Sequence, residues 1–218
     1  MKVLAILMMI SLISCSTHRH HKTHKHLSAH HQHRFNDAKK WEKVFEDQKR
    51  DQWQKPFEVL KVVGIKKNSK VADIGSATGY FPVRIARIAS KGMTWGIDVE
   101  PNLVRFLNER KEKEKIKNLY SILGTYSDPL IPEKVDFIFL VDTYHHIADR
   151  KNYFSNLRKY LTRNGRLIII DWKDKDLPIG PKHDKISKQR IIKELSDSGY
   201  SLYKESDILE YQNFLIFK

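Results

Sequence analysis

Short apolar runs alternate with segments of helical periodicity along residues 71–217. The predicted buried strands span 71–75, 94–99, 120–123, 135–141 and 167–170. Continuous apolar runs such as Phe137–Val141 are typical of strands covered on both faces. Two further β-like runs, 200–209 and 211–217, are joined so closely that they must be antiparallel. The pattern therefore predicts an α/β fold, a doubly wound, mostly parallel seven-stranded sheet with C-terminal antiparallel edge strands.

Amphipathic segments between these runs predict the helices. One helix, carrying Phe154, Leu157 and Leu161, is predicted to end near Asn164–Gly165. An aromatic, amphipathic segment precedes the first strand, and its residues Trp53–Pro56 are predicted to lie over the ligand site as a lid.

The loops after the strands are the expected ligand site, because such sheets bind ligands at the carboxyl ends of their strands. The first loop reads DIGSATG from Asp73 to Gly79, and its two glycines let the backbone approach a ligand closely. Asp98 ends the second strand, where a carboxylate can accept both hydroxyls of a ribose. The spacing differs from that of dinucleotide folds, and Asp73 suits a cationic ligand better than a pyrophosphate. A nucleoside-containing ligand is predicted.

This first loop resembles motif I of the class I S-adenosylmethionine-dependent methyltransferases. The resemblance extends over Trp41–Lys218, since Gly96–Pro101 looks like the family's ribose-binding loop and Leu161–Arg166 resembles its approach to the fifth strand. It implies a Rossmann-like methyltransferase with S-adenosylmethionine as its cofactor. The cofactor-binding residues that it implies are Asp73, Gly75, Ser76, Ala77, Gly79, Asp98, Val99, Glu100 and Thr125. Ala77 and Thr125 depart from the family pattern, which has a glycine and an acid at these positions.

The segment after the fourth strand carries the predicted catalytic residues, because this family places residues there that face the donor methyl or the acceptor. They are Asp142, Tyr144, His145 and His146. A histidine at this place can take the acceptor's proton near neutral pH. Adjacent side chains cannot share one direction, so at most one histidine is expected to face the ligand, and His145 is favoured. The alternative is an imidazole that packs beneath the cofactor or bonds to the backbone.

The acceptor is less constrained by the sequence. Asp171–Trp172 and Leu177–Pro181 are expected to form part of its wall, which suits a small-molecule substrate. The 218 residues include 40 Lys+Arg and 26 Asp+Glu, a net charge of +14. No aromatic-interleaved basic motif accompanies this charge, so nucleic acid is not the expected partner. The lone cysteine, Cys15, excludes a disulfide framework and disfavours an arsenite methyltransferase, which needs thiols.

The N-terminus has the pattern of a secretory signal. Lys2 precedes the uncharged run Val3–Ile13, whose eleven residues fall short of the roughly 20 that span a bilayer. Leu12–Cys15 resembles the bacterial lipobox, which implies a lipid anchor at Cys15, and Ser16 implies outer-membrane sorting, facing the periplasm. The predicted organisation is a lipoprotein signal peptide at 1–14, the lipidated cysteine with a His-rich disordered tether at 15–40, and a methyltransferase-like domain at 41–218.

The tether holds eight of the 11 histidines and no acid between His18 and Arg34. These histidines are His18, His20, His21, His24, His26, His30, His31 and His33. Neutral imidazoles at this density can bind a divalent metal weakly. In the methyltransferase-like domain itself, no metal site is predicted.

The predicted export conflicts with a cofactor that is made in the cytosol. Three hypotheses resolve the conflict. The chain is an active methyltransferase with an unusual location or cofactor supply, or a non-catalytic, membrane-tethered lipoprotein that binds a nucleoside or metal on this scaffold. The third is a cytoplasmic enzyme with an accidental lipobox. The first and third predict turnover.

Overall fold

A computed structural model describes residues 37–218. The predicted signal peptide, Cys15 and the eight tether histidines lie outside these residues. The helices are α1 Ala38–Phe45, α2 Arg50–Gln54, α3 Pro56–Val63, α4 Tyr80–Ile88, α5 Pro101–Lys113, α6 Arg150–Leu157 and α7 Lys188–Asp197. The strands are β1 Lys70–Ile74, β2 Met93–Asp98, β3 Leu119–Leu123, β4 Val135–Val141, β5 Leu161–Trp172, β6 Leu202–Glu205 and β7 Gln212–Phe217. None of the described helices is long and apolar enough to cross a membrane.

The seven strands form one sheet in the order β3-β2-β1-β4-β5-β7-β6. Strands β1 to β5 are parallel, whereas β7 is antiparallel to both β5 and β6. This confirms the predicted fold class. The strand order reverses between β1 and β4, so the crevice expected to hold a ligand lies at their carboxyl ends.

Helices cover both faces of the sheet, which explains why the central strands are apolar without alternation. Ile138, Leu140 and Ile169 pack on one face with α6 and α7. Phe139 and Ile168 pack on the other face with α3 and α4. Within residues 37–218, the central strands are therefore covered on both faces, whereas the edge strand β6 is exposed along its length.

Three predicted boundaries differ from the structure. The helix predicted to reach Asn164 ends at Leu157, because Leu161 pairs with Val135 and already belongs to β5. The predicted strand 200–209 is extended only over Leu202–Glu205. Helix α1 begins at Ala38, three residues before the predicted start of the domain, with Asp37 as its N-cap.

Candidate active site

The loop between β1 and α4 lies directly against the segment after β4. A Cβ atom on Gly75 would come within 2.3 Å of Thr143 Oγ1, so this close approach requires glycine. Ala77, which stands at the family's middle glycine, adopts a left-handed φ of 46° that is strained for alanine. Its N–H donates to Asp98 Oδ2 at 2.9 Å. The loop after β1 is therefore tied to the end of β2.

Asp98 is fixed at the carboxyl end of β2 by backbone donors. Glu100 N–H donates to Oδ1 at 3.0 Å, while Ala77 N–H donates to Oδ2. Burial raises the pKa of Asp98, and the backbone N–H groups of Glu100, Ala77 and Val99 oppose that rise. A carboxylate oxygen can accept a second hydrogen bond besides the one from a backbone N–H. The oriented carboxylate can thus also accept the two hydroxyls of a ribose.

Asp73, near the carboxyl end of β1, is a buried carboxyl group with an incomplete set of hydrogen bonds. It is 3% exposed, and Oδ1 has no hydrogen-bond partner within residues 37–218. Burial raises the pKa of Asp73 well above its ordinary value, Arg50 opposes this rise, and Asp98 adds to it. An unpaired buried acceptor is costly, and a ligand ammonium group would satisfy it. Asp73 and Asp98 together fit an aminoacyl nucleoside such as S-adenosylmethionine, and Ser76 Oγ nearby in the same loop also lacks a partner there.

An N-terminal strap, defined as residues 37–54, packs against this edge of the sheet. Glu46 accepts a hydrogen bond from Thr78 Oγ1 and forms an ion pair with Arg110, both at 2.8 Å. Trp53 lies 5.3 Å from the ring of Trp172 at the end of β5. The strap thus contacts both the loop after β1 and the expected acceptor wall. The lid at Trp53–Pro56, of which the strap includes the first two residues, stays a prediction.

Four side chains of the strap and the site form a closed ring of hydrogen bonds. Arg50 donates to Gln54 Oε1 through Nε and Nη2, and Gln54 Nε2 donates to Gln212 Oε1 at 2.6 Å. Gln212 Nε2 donates to Asp142 Oδ1, and Arg50 Nη2 lies 3.4 Å from Asp142 Oδ2. Burial raises the pKa of Asp142 to about 6, although Arg50 opposes the rise. The ring holds Asp142 between the strap and β7.

His145 is held in place by Asp171 near the end of β5. Asp171 Oδ2 accepts its backbone N–H at 3.0 Å, and Oδ1 lies 2.8 Å from its Nδ1. Burial alone would lower the pKa of His145, but the hydrogen bond and the charge of Asp171 outweigh burial and raise it. Because the carboxylate accepts, Nδ1 carries the proton in neutral His145 and Nε2 is left as the basic nitrogen.

Tyr144 and His146 do not share this environment. Tyr144 is fully buried, and its hydroxyl donates to Glu194 Oε2 on α7 at 2.7 Å. Its ring stacks on Phe154, and burial raises its pKa above the usual range. The assignment of Tyr144 as a catalytic residue stays a prediction, and its burial and its bond to Glu194 support a role in anchoring the turn that presents His145. His146 is exposed, with its ring centroid 4.1 Å from that of His145.

Thr125 closes its own turn after β3. Its hydroxyl donates to Asp128 O and accepts from Asp128 N–H, each at 2.9 Å. Its assignment to the adenine stays a prediction. No group of three or more His, Cys, Asp or Glu residues that could hold a metal ion was found within the described part of the chain.

Sequence reasoning missed Arg50 and Gln212, and it placed Asp171 only in the acceptor wall. No local motif marks these residues. They reach the site through contacts between segments far apart in the chain, such as the 92 residues that separate Arg50 from Asp142.

Comparison with known proteins decides the family. A family model described as a methyltransferase domain matches residues 65–210. The chain belongs to the methyltransferase family. A solved S-adenosylmethionine-dependent methyltransferase from Aquifex aeolicus superposes with a TM-score of 0.76 at 26% identity, over 83% of this chain and 97% of that one. The expected enzyme class and the expected cofactor, S-adenosylmethionine, are confirmed.

Several curated relatives of this methyltransferase have names that describe enzymes acting on RNA. A fibrillarin-like rRNA/tRNA 2'-O-methyltransferase of Methanocaldococcus jannaschii is 31% identical over 162 residues, covering 70% of this chain and 66% of the relative. A tRNA U34 carboxymethyltransferase of Campylobacter hominis is 29% identical over 122 residues, covering 54% and 42%. The chain thus spans about two thirds or less of these relatives' lengths. Their names oppose the expectation that nucleic acid is not a partner, and they do not support a small-molecule acceptor.

Replacing Asp98 with alanine should abolish measurable binding of S-adenosylhomocysteine to this methyltransferase, because the oriented carboxylate for the ribose is lost. Isothermal calorimetry measures the affinity. Asp136→Ala is the matched control, since Asp136 lies at the opposite end of the sheet, where it accepts the N–H of Lys70. Equal affinities of the two variants would remove Asp98 from the cofactor site.

Replacing Tyr144 with phenylalanine should lower the free energy of unfolding by about 2 kcal/mol, because a hydrogen bond to the charged carboxylate of Glu194 is lost. Methyl transfer by the folded variant should be unchanged. Urea unfolding and a transfer assay on the same preparation check both parts. An unchanged free energy of unfolding together with strongly reduced methyl transfer would instead show that the Tyr144 hydroxyl is catalytic.

Proposed function

We propose that this methyltransferase methylates a hydroxyl group of a small-molecule acceptor, with His145 as the general base. The His145–Asp171 pair at the carboxyl ends of β4 and β5 carries the proposal. Asp171 orients the ring through two contacts and leaves Nε2 to receive a proton.

The protein's tasks in the transfer are to align two ligands and to accept one proton. Bound S-adenosylmethionine supplies a methyl group that is already activated on a sulfonium sulfur. With the cofactor bound, the acceptor oxygen would gain the methyl group and lose its proton to His145 Nε2, which would leave S-adenosylhomocysteine as the second product. The charged imidazolium is stabilised by Asp171 and Asp142, and by Asp184 in the loop after β5. The strap excludes water through Trp53 against Trp172.

The charges near His145 favour a small acceptor over a polyanion. Asp142, Asp171 and Asp184 all act on the His145 ring, and Arg50 is the cation that faces Asp142. A strand of phosphates would meet these carboxylates at the point of transfer, where like charges repel. A compact neutral or cationic hydroxyl compound would not.

A ribose hydroxyl of RNA is the second candidate, favoured by the printed names of the fibrillarin-like relatives. The overall charge also suits it. Five of the 40 basic residues and none of the acids precede residue 37, which leaves residues 37–218 with a net charge of +9. This candidate makes the same use of His145 but requires a different acceptor.

A transfer assay with methyl-labelled S-adenosylmethionine distinguishes these acceptors. The protein is given a panel of small hydroxyl compounds and, separately, total RNA. We expect label in a small molecule, and His145→Ala should reduce its incorporation about 10²- to 10⁴-fold. Label in RNA would contradict the small acceptor, and label in neither, with the cofactor bound, would favour the non-catalytic nucleoside-binding alternative.

The pH dependence of methyl transfer tests whether His145 is the general base. The pKa of His145 is raised above its ordinary 6.5, and the base acts only when unprotonated. The rate should therefore fall as the pH drops through a midpoint above 6.5. Asp171→Asn should move this midpoint to lower pH, because the negative partner is lost. A midpoint that does not move would exclude the pair as the titrating base.

We further propose that the protein is anchored through Cys15 at the outer membrane, as the lipobox-like pattern implies. A cytoplasmic enzyme is the alternative location, and metal binding by the tether histidines is part of the non-catalytic alternative. Labelling of cells with a radioactive fatty acid should mark the wild-type chain and not Cys15→Ala. An unlabelled wild-type chain in the soluble fraction would favour the cytoplasmic enzyme.

A further inference from the structure

Basic side chains gather at the sheet edge opposite the active site. The loops that precede β1 to β5 all meet at this edge, because these strands run in one direction. Seven exposed side chains there form no ion pair within residues 37–218, and we call them the basic edge. They are Lys66, Lys67, Lys91, Lys115, Lys117, Lys134 and Arg163.

The acids of the same loops are already engaged. Glu133 is paired with Lys70. Asp136 accepts the backbone N–H of Lys70 at 2.9 Å and the hydroxyl of Thr162. Neither acid forms an ion pair with a side chain of the basic edge, whereas the buried carboxylates Asp73, Asp98 and Asp171 lie at the other end of the strands. In the described residues, the unpaired lysines and arginine of the basic edge thus lie at the opposite end of the strands from the carboxylates around His145.

The distance between the two edges argues against RNA as the ligand of the basic edge. The parallel strands β1 to β4 are five to seven residues long, which separates their ends by about 17–23 Å. An RNA strand confined to the basic edge would therefore not place a nucleotide at His145. Proteins also hold single-stranded RNA by stacking its bases on aromatic rings. Tyr120 is an exposed ring next to the basic edge, but Lys111 Nζ lies 3.9 Å from its ring centroid and takes the place of a stacked base.

Binding to an anionic bilayer requires only clustered positive charge near the membrane surface. The 36 residues before Asp37 carry more of the same charge, with Arg19, Lys22, Lys25 and Arg34 in the tether. Extended, residues 16–36 reach about 70 Å, so a lipid anchor at Cys15 would be long enough to let any face of the domain contact the membrane. Charge complementarity then decides which face does so.

We infer that the basic edge docks on an anionic lipid surface. The edge that carries the strap and His145 then opens toward the aqueous phase, where it is accessible to a dissolved acceptor. This orientation holds whichever acceptor the enzyme methylates.

Sedimentation with vesicles tests the inference on the full chain carrying Cys15→Ser, so that no acyl chain contributes. One variant reverses three charges of the basic edge, Lys67→Glu, Lys91→Glu and Lys117→Glu. The matched control reverses three exposed lysines near the opposite edge, Lys151→Glu, Lys175→Glu and Lys182→Glu. Both variants change the net charge equally, and circular dichroism with thermal unfolding confirms that each is folded. A set with glutamine in place of glutamate replaces either variant that does not fold.

With phosphatidylglycerol-containing vesicles, the partition coefficient of the basic-edge variant should fall at least about 10-fold more than that of the control. Raising the salt should weaken wild-type binding, since exposed charges are screened. Equal loss in both variants would overturn the inference and leave only overall charge. Loss of binding to a homopolymer RNA in the basic-edge variant, with vesicle binding intact, would overturn it in favour of nucleic acid.

Discussion

Four carboxylates, three of them buried and Asp142 partly exposed, meet at the carboxyl edge of the parallel strands, and the arrangement of the site depends on how each one is compensated. Asp98 has backbone N–H groups, and Asp171 has His145. Asp142 has Arg50 and Gln212, whereas one oxygen of Asp73 has no partner within the described residues. Burying a charge is costly unless it is paired or bonded. The carboxylate left uncompensated is therefore the one that most needs a cationic ligand.

This requirement explains why the strap belongs to the active site. Arg50 is delivered from α2, and it opposes the rise in pKa of both Asp73 and Asp142. Gln54 and Gln212 connect Arg50 to Asp142 through a chain of hydrogen bonds. All donors in this chain point from Arg50 toward Asp142, because a guanidinium can only donate and a carboxylate can only accept. A domain without residues 37–54 would lose this charge balance together with the cover over the acceptor wall.

Much of the fold and half of the site were predictable because their signals are local. The apolar runs of β4 and β5 and the spacing from Gly75 to Asp98 are readable within a few residues of sequence. Asp171, Arg50 and Gln212 became functional residues only through tertiary contacts, and Gln54 and Gln212 are 158 positions apart. The partner of Tyr144 was likewise not predictable, because Glu194 lies 50 positions away on α7. The helix end at Leu157 was missed because pairing with β4 overrides helical spacing.

The central claim is that the carboxyl edge of β1, β2 and β4 is a cofactor site with His145 as its base. A crystal structure of the protein with S-adenosylhomocysteine tests it most directly. Both ribose hydroxyls should lie within hydrogen-bonding distance of Asp98, with the ammonium nitrogen near Asp73 Oδ1 and His145 still bonded to Asp171. A ligand bound elsewhere, or one that leaves Asp98 and Asp73 without contact, would contradict the claim.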